Sequence, residues 1–261
     1  MSKLLGFVRF LSFAVVASTC IIVYVLLSPI HRFSIPSGFI MRKVFIRIML
    51  VVLNVRIRIY GQPPPDNFRG FIVANHRSYF DPVAILNYLD AVTVAKSEVS
   101  NWPIVGVGAR MVGVIWVKRE VKDSRKAARE KMLEVIKQGY NILIFPEGTS
   151  HTSATMLEVR NATFEMAVQN HIPMLPLAIE YEYERDAWVG DDTFIRHYLE
   201  CFGKWQTNVG LYFQQPVTGN DTEELKSEVV NKINNSVVYM RRELNYKSKS
   251  NLSAGESKSP L

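Results

Sequence analysis

His76 and Asp81 stand five residues apart in the run Val-Ala-Asn-His-Arg-Ser-Tyr-Phe-Asp-Pro, positions 73–82. An imidazole beside a carboxylate is a general base: the ring takes a proton, while the carboxylate fixes the tautomer and stabilises the imidazolium. The apolar stretch Gly70 to Ala74 reads as a short buried strand that delivers Asn75 and His76 at its end. Asp81-Pro82 reads as a helix start, with Asp capping free N–H groups and Pro at the first helical position. Were the interval helical throughout, five residues would make about 1.4 turns and the two side chains would face apart. A turn must therefore bring the carboxylate back to the ring. Taken singly, Asp81 is an ordinary N-cap and His76 an ordinary strand-end histidine.

Three further blocks change that weighing. Asn141 to Phe145 is a second buried-strand run, followed by Pro146-Glu147-Gly148-Thr149-Ser150. Between the two lies Gly113-Val114-Ile115-Trp116-Val117-Lys118-Arg119, and after them Ile172-Pro173-Met174-Leu175-Pro176-Leu177-Ala178. In this order and spacing, from about residue 55 to 220, the chain resembles the glycerolipid acyltransferase family, best known for the 1-acyl-glycerol-3-phosphate acyltransferases. The resemblance implies an α/β fold, a mixed and mostly parallel sheet flanked by helices, behind an N-terminal membrane-anchoring helix pair. It implies transfer of an acyl group from acyl-CoA or acyl carrier protein to the sn-2 hydroxyl of lysophosphatidic acid, with no cofactor beyond the donor. His76 would be the base and Asp81 its orienting partner. Arg119 is the candidate for the acceptor's phosphate through charge-assisted hydrogen bonds. Lys118 is its neighbour, and adjacent strand residues face opposite ways, so one of the two should reach the site. Lys96 and Arg160 are possible helpers. Glu147, Gly148 and Thr149 would shape the acceptor site, with Gly148 allowing close backbone approach. Asn75 would support the His76 loop or contribute to an oxyanion site. The chain departs from the family pattern at Ser150, where Arg is usual, at Lys118, where Asp is common, and at Ala162, where Gly is usual. Ser150 leaves another lysophospholipid or a lyso-aminolipid open as acceptor, and a lipid-binding protein without turnover or a thioesterase are the readings from other classes.

These residues need elements to position them. At 261 residues and 48% hydrophobic, the chain can bury one sizeable core. Three segments are expected: 1–54 as membrane anchor and basic amphipathic helix, 55–246 as the acyltransferase domain, and 247–261 as a disordered tail. Phe10 to Leu27 runs without a charge, close to the roughly 20 residues that cross a bilayer. It is too long for a signal-peptide core and lacks a cleavage site, so it reads as a retained anchor. Gly38 to Leu53 carries Arg42, Lys43 and Arg47 at one-turn spacing among apolar residues, the pattern of a helix lying in the headgroup plane. Lys/Arg after the first helix predict a catalytic domain on the cytoplasmic side. Strands are expected at 55–60, 91–95, 141–145, 174–180 and 209–214, and helices at 82–89, from Asp123-Ser124 to Gln138, and over 156–170. Asp221-x-x-Glu224 reads as a capping box opening a long helix whose buried stripe is Leu225, Val229, Ile233, Val237 and Met240. Residues 181–206, with Trp188 and two acids, read as a lid, an acyl-chain wall or a surface insertion.

Residues 1–69 hold nine Lys/Arg against Asp66 alone, leaving the rest at −1 within a total of +7. Basic residues interleaved with apolar ones at one end suit an anionic membrane surface better than nucleic acid. The five histidines (31, 76, 151, 171 and 197) show no metal-ligand spacing, and Cys20 and Cys201 are too far apart to suggest a disulfide. No Gly-rich nucleotide loop occurs. The expected partners are thus a lysophospholipid acceptor, an acyl donor and membrane lipids.

Overall fold

A computed structural model describes residues 3–31 and 33–248. The chain opens with three helices, α1 (Lys3–Leu26), the single turn α2 (Ser28–His31) and α3 (Ile35–Val52). The α/β part follows: β1 (Val55–Gly61), β2 (Phe71–Ala74), α4 (Asp81–Ile85), β3 (Ala91–Lys96), α5 (Val105–Met111), β4 (Ile115–Val117) and α6 (Lys122–Lys137). It continues through β5 (Asn141–Ile144), α7 (Ala162–Gln169), β6 (Met174–Tyr181), α8 (Phe194–Phe202), β7 (Thr207–Phe213) and α9 (Thr222–Glu243).

The strands form one sheet in the order β1-β7-β6-β2-β5-β3-β4, parallel except where β6 meets β7. β2, β5 and β6 lie at its centre and are buried at every residue, which is why their sequences read as unbroken apolar runs. Since β2, β3, β4 and β5 are parallel, the segments that follow them emerge at one edge of the sheet, the place where open α/β sheets bind ligands. His76, Lys96, Arg119 and Glu147 all lie at or just beyond those strand ends.

Asp221 caps α9 as expected, accepting from the N–H groups of Glu223 and Glu224 at 2.9 Å each. The stripe from Leu225 to Met240 is buried against the sheet. Gly139, at φ +85°, turns the chain after α6 in the left-handed conformation.

Other expectations change. The helix expected over 82–89 ends at Ile85 and continues as turns. α6 starts at Lys122, before the Asp123-Ser124 cap, because the Ser124 hydroxyl accepts from the Lys118 N–H instead. Of the helix expected over 156–170 only Ala162–Gln169 forms. Upstream, the N–H of Leu157 is held by Glu147 and that of Met156 by Asn234, so tertiary partners satisfy groups that a helix would have paired. Residues 181–206, left unassigned above, hold α8. Lys247, placed at the start of the disordered tail, exchanges backbone contacts with Glu182 and Glu184, and its ammonium reaches Glu182 at 2.8 Å. The remainder of the expected tail, 249–261, lies outside the described residues.

The basic face expected for α3 is corrected most. Arg42 is buried, donating to the Ala91 carbonyl at 2.7 Å beside Asp90, and Lys43 reaches Asp90 at 2.6 Å. Arg47 stays exposed, and α3 also exposes Ile40, Val44, Ile48 and Val51, while α1 exposes Leu4, Phe7, Leu11 and Val15. α1 is long and apolar enough to cross a membrane. It is also pinned to the domain: Arg9 is buried and donates to the carbonyls of Phe202, the last residue of α8, at 2.8 Å and of Lys204 just beyond it at 2.6 Å. A cation there answers the unpaired carbonyls and the negative end of the helix dipole.

Candidate active site

β2 ends and the chain turns through Asn75–Phe80 into α4. Within that turn the His76 Nδ1 atom lies 2.8 Å from Asp81 Oδ2. The same oxygen accepts the backbone N–H groups of Arg77 at 2.5 Å and Ser78 at 2.8 Å, and Oδ1 accepts the Tyr181 hydroxyl at 2.8 Å. Asp81 is therefore not the helix cap expected for it. Phe80 occupies the N-cap position, and the Asp81 carboxylate reaches back to close the turn that brings it to the imidazole. With Nδ1 donating to the carboxylate, Nε2 is left as the basic ring atom. Phe145 stacks on the ring at 4.3 Å between centroids and fixes its plane. Burial, and then the Asp81 charge, push the Tyr181 phenol far above its usual value, so it stays a donor.

Glu147 was expected at the acceptor. Its side chain is wholly buried and stands behind the site rather than in it. Oε2 accepts the His76 backbone N–H at 2.8 Å, and Oε1 accepts His151 Nε2 at 2.6 Å and the Leu157 N–H at 3.1 Å. His151 in turn donates its backbone N–H to the His76 carbonyl at 3.2 Å. Beneath them the buried Arg77 guanidinium donates to the carbonyls of His151 at 2.9 Å and Ser153 at 2.7 Å, and to Glu180 at 3.1 Å. Glu180 also accepts from Arg241 of α9 at 2.8 Å. Asn75 has the supporting place, the first of the two expected for it: fully buried, it donates to the Ile179 carbonyl and accepts the Ile179 N–H, each at 2.9 Å. Both halves of its amide stitch β2 to β6. Tyr181, His151, Arg77 and Glu180 were not singled out from sequence. Arg77 carried a signal in sitting beside His76, whereas nothing local marks Tyr181.

In front of His76 opens a cavity of about 780 Å³. Phe145, Gly148, Thr149 and Ser150 line it near His76, and Trp188 and Phe194 wall it, which gives the stretch after β6 the place of a wall. Phe13 and Ile21 of α1 with Met41 and Phe45 of α3 line its apolar part. Lys96, Arg119 and Arg160 line it too, as does Ala162. Lys118 is exposed, and both it and Arg119 lie in the turn after β4, so the turn and not strand alternation selects Arg119. Arg119 Nη1 donates to the Gly148 carbonyl. Gly148 has φ +74°, and a Cβ there would meet Arg119 Nη1 at 3.2 Å, so both backbone and neighbour call for glycine. Burial, and then the nearby Arg160, hold the Arg119 guanidinium below its usual value. Lys96 is taken up by Glu98 at 3.0 Å. The Ser150 hydroxyl donates to the Trp188 carbonyl.

The acyltransferase family model matches residues 56–180, the span that holds His76, Asp81, Arg119, Glu147, Gly148 and Arg160. That stretch is an acyltransferase-family domain. A lyso-ornithine lipid O-acyltransferase of Rhizobium meliloti is 28% identical over 66% of this chain and 64% of its own length. A 1-acyl-sn-glycerol-3-phosphate acyltransferase of Neisseria meningitidis is 26% identical over 52% of this chain and 53% of its own. The chain thus spans between half and two thirds of these two relatives. The crystal structure of a 1-acyl-sn-glycerophosphate (LPA) acyltransferase from Thermotoga maritima shares the fold, with a TM-score of 0.69 over 92% of this chain and 98% of that one at 22% identity.

Proposed function

We propose that this protein transfers an acyl group from a thioester donor to the sn-2 hydroxyl of lysophosphatidic acid, at a membrane. The observation that carries the reading is the His76–Asp81 pair, locked by Tyr181 and Glu147, at the head of a cavity with apolar walls and a cationic rim. His76 Nε2 takes the acceptor's hydroxyl proton as the oxygen attacks the thioester carbonyl. The tetrahedral adduct collapses by breaking the C–S bond, and the imidazolium returns its proton to the leaving thiolate. The backbone N–H groups of Thr149 and Ser150 have no hydrogen-bond partner among the described residues and are the donors offered to the oxyanion. Arg119 and Arg160 bind the acceptor's phosphate. The apolar stripes of α1 and α3 seat the protein at the bilayer, with the catalytic domain on the cytoplasmic side.

A second reading keeps the chemistry and changes the head group. Ser150 spends its hydroxyl on Trp188, so no cation stands where the family usually has one, and relatives that carry a lyso-ornithine name match this chain. The excess of arginines in the cavity favours the phosphate. Thiol release from palmitoyl-CoA by purified protein, with lysophosphatidic acid, lyso-ornithine lipid or no acceptor, tests both. Release that requires lysophosphatidic acid supports the first reading, preference for the ornithine lipid the second, and release without acceptor a thioesterase.

A further inference from the structure

The charge lining the cavity is one-sided. Among the described lining residues, six are Lys or Arg and one is a carboxylate, Glu98, which Lys96 takes. Asp90, outside the lining, answers Arg42 at 3.6 Å. Four arginines remain: Arg119, Arg125, Arg129 and Arg160. Arg125 donates to the Arg119 carbonyl at 2.5 Å and so ties α6 to the turn that carries Arg119. Neither the Arg129 nor the Arg160 side chain has an ion pair or hydrogen bond with a described residue.

Their placement divides them. Arg119 and Arg160 both line the cavity, and the Arg160 charge helps hold the Arg119 guanidinium below its usual value, which makes them the pair for the acceptor's phosphate. Arg125 and Arg129 lie one turn apart on α6, on the face where Ala128 and Met132 also line the cavity. Ala128 and Met132 belong to the hydrophobic core, so that face is where an amphipathic helix would carry apolar residues. Arg125 also lies at the end of the first turn of α6, where the dipole rewards acids rather than bases. Beyond the bond from Arg125 to the Arg119 carbonyl, neither side chain has a partner among the described residues until an anion arrives. One lysolipid phosphate is matched by Arg119 and Arg160, which leaves a second pair for a second anion.

We infer that Arg125 and Arg129 form a second anion subsite, which holds the phosphate of the acyl donor's phosphopantetheine arm. This rests on the acyl-transfer reading above, in which two substrates meet at His76. The phosphopantetheine arm is common to coenzyme A and to acyl carrier protein, and the subsite reads that shared phosphate.

Arg129 is the group to change, because it holds nothing else in the fold. Full-length protein in detergent micelles is titrated calorimetrically with desulfo-coenzyme A, with holo- and apo-acyl carrier protein, and with lysophosphatidic acid. Arg129→Glu should weaken desulfo-coenzyme A or the holo-carrier by about tenfold to a hundredfold, the usual worth of a hydrogen-bonded charge. Arg129→Lys should keep most of the affinity, and lysophosphatidic acid should bind the variant as before. Loss confined to desulfo-coenzyme A identifies the free nucleotide as the source, whereas loss confined to the holo-carrier, with the apo-carrier silent, identifies the carrier protein. Equal weakening of donor and lysolipid, no weakening of either, or no donor binding by the native protein overturns the subsite. Binding needs no turnover, so Arg129-dependent donor binding without acyl transfer would sink the transferase reading alone. Turnover with donor binding indifferent to Arg129 would sink the subsite alone.

Discussion

The loop that carries His76 and the rim that carries the arginines are charged in opposite styles. Behind His76 the ionic groups interlock: Glu147 with His151, Arg77 with Glu180, and Glu180 with Arg241, with backbone groups filling much of what remains. Along the rim Arg119 has a single carbonyl, and Arg129 and Arg160 have no protein partner among the described residues. A network of the first kind is built to hold an atom still, because each buried polar group costs free energy if its partner moves. A surface of the second kind gains its partner only when a ligand brings one. The difference teaches where to look for positioning and where to look for recognition. Substitutions behind His76 should move kcat and stability together, whereas substitutions on the rim should move KM.

The sharpest division comes at His76 itself. His76→Ala should lower kcat by between about a hundredfold and ten-thousandfold, the usual range for a lost general base, with little change in thermal midpoint. The ring is 23% exposed and its removal leaves the loop's backbone bonds in place, so a large fall in melting temperature would show that the loop depends on the ring. Glu147→Ala should cut kcat and also destabilise the protein by roughly 3 kcal/mol, since it strands the His76 and Leu157 N–H groups and His151. Chemical denaturation read beside turnover tests this; a variant of native stability whose acceptor KM alone has risen would return Glu147 to the substrate side. Arg119→Ala should raise the KM for lysophosphatidic acid by about tenfold to a hundredfold with a smaller change in kcat. Steady-state kinetics that showed the reverse split would move Arg119 from the rim to the positioning network. The smallest effect is expected of Tyr181→Phe, which removes one of four donors to Asp81 and should cost about 1 kcal/mol of stability with a several-fold fall in kcat. A pH–rate profile would sharpen it, because a merely structural role would leave the profile in place.

Much of this was legible in the chain. The buried strands announce themselves as unbroken apolar runs, and α9 by its capping box and one-turn stripe, because both signals are local and periodic. His76 and Asp81 were legible as a pair, and Gly148 as a glycine with a reason. The functions within the site were less so. Asp81 read as a helix cap and Glu147 as a substrate ligand, since types and spacing alone do not say which way a carboxylate turns. α3 read as a basic headgroup helix, whereas Arg42 turns inward to Ala91 and Asp90 and Lys43 is held by Asp90, leaving Arg47 exposed among apolar residues. That reversal depends on what stands across from the helix.

The sequence by itself determined the buried strands and α9, the strand-end positions of the reacting groups and the turn that must lie between His76 and Asp81. Tertiary structure decided which groups hold those two in place. The order β6-β2-β5 sets Tyr181, His76 and Glu147 side by side, although Tyr181 lies a hundred positions beyond the Asp81 it serves. Parallel strands return to the same edge only through long crossovers, so neighbours in the sheet are strangers in the chain. Period and spacing act over a few residues, and a partner fixed by strand order leaves no trace at that range.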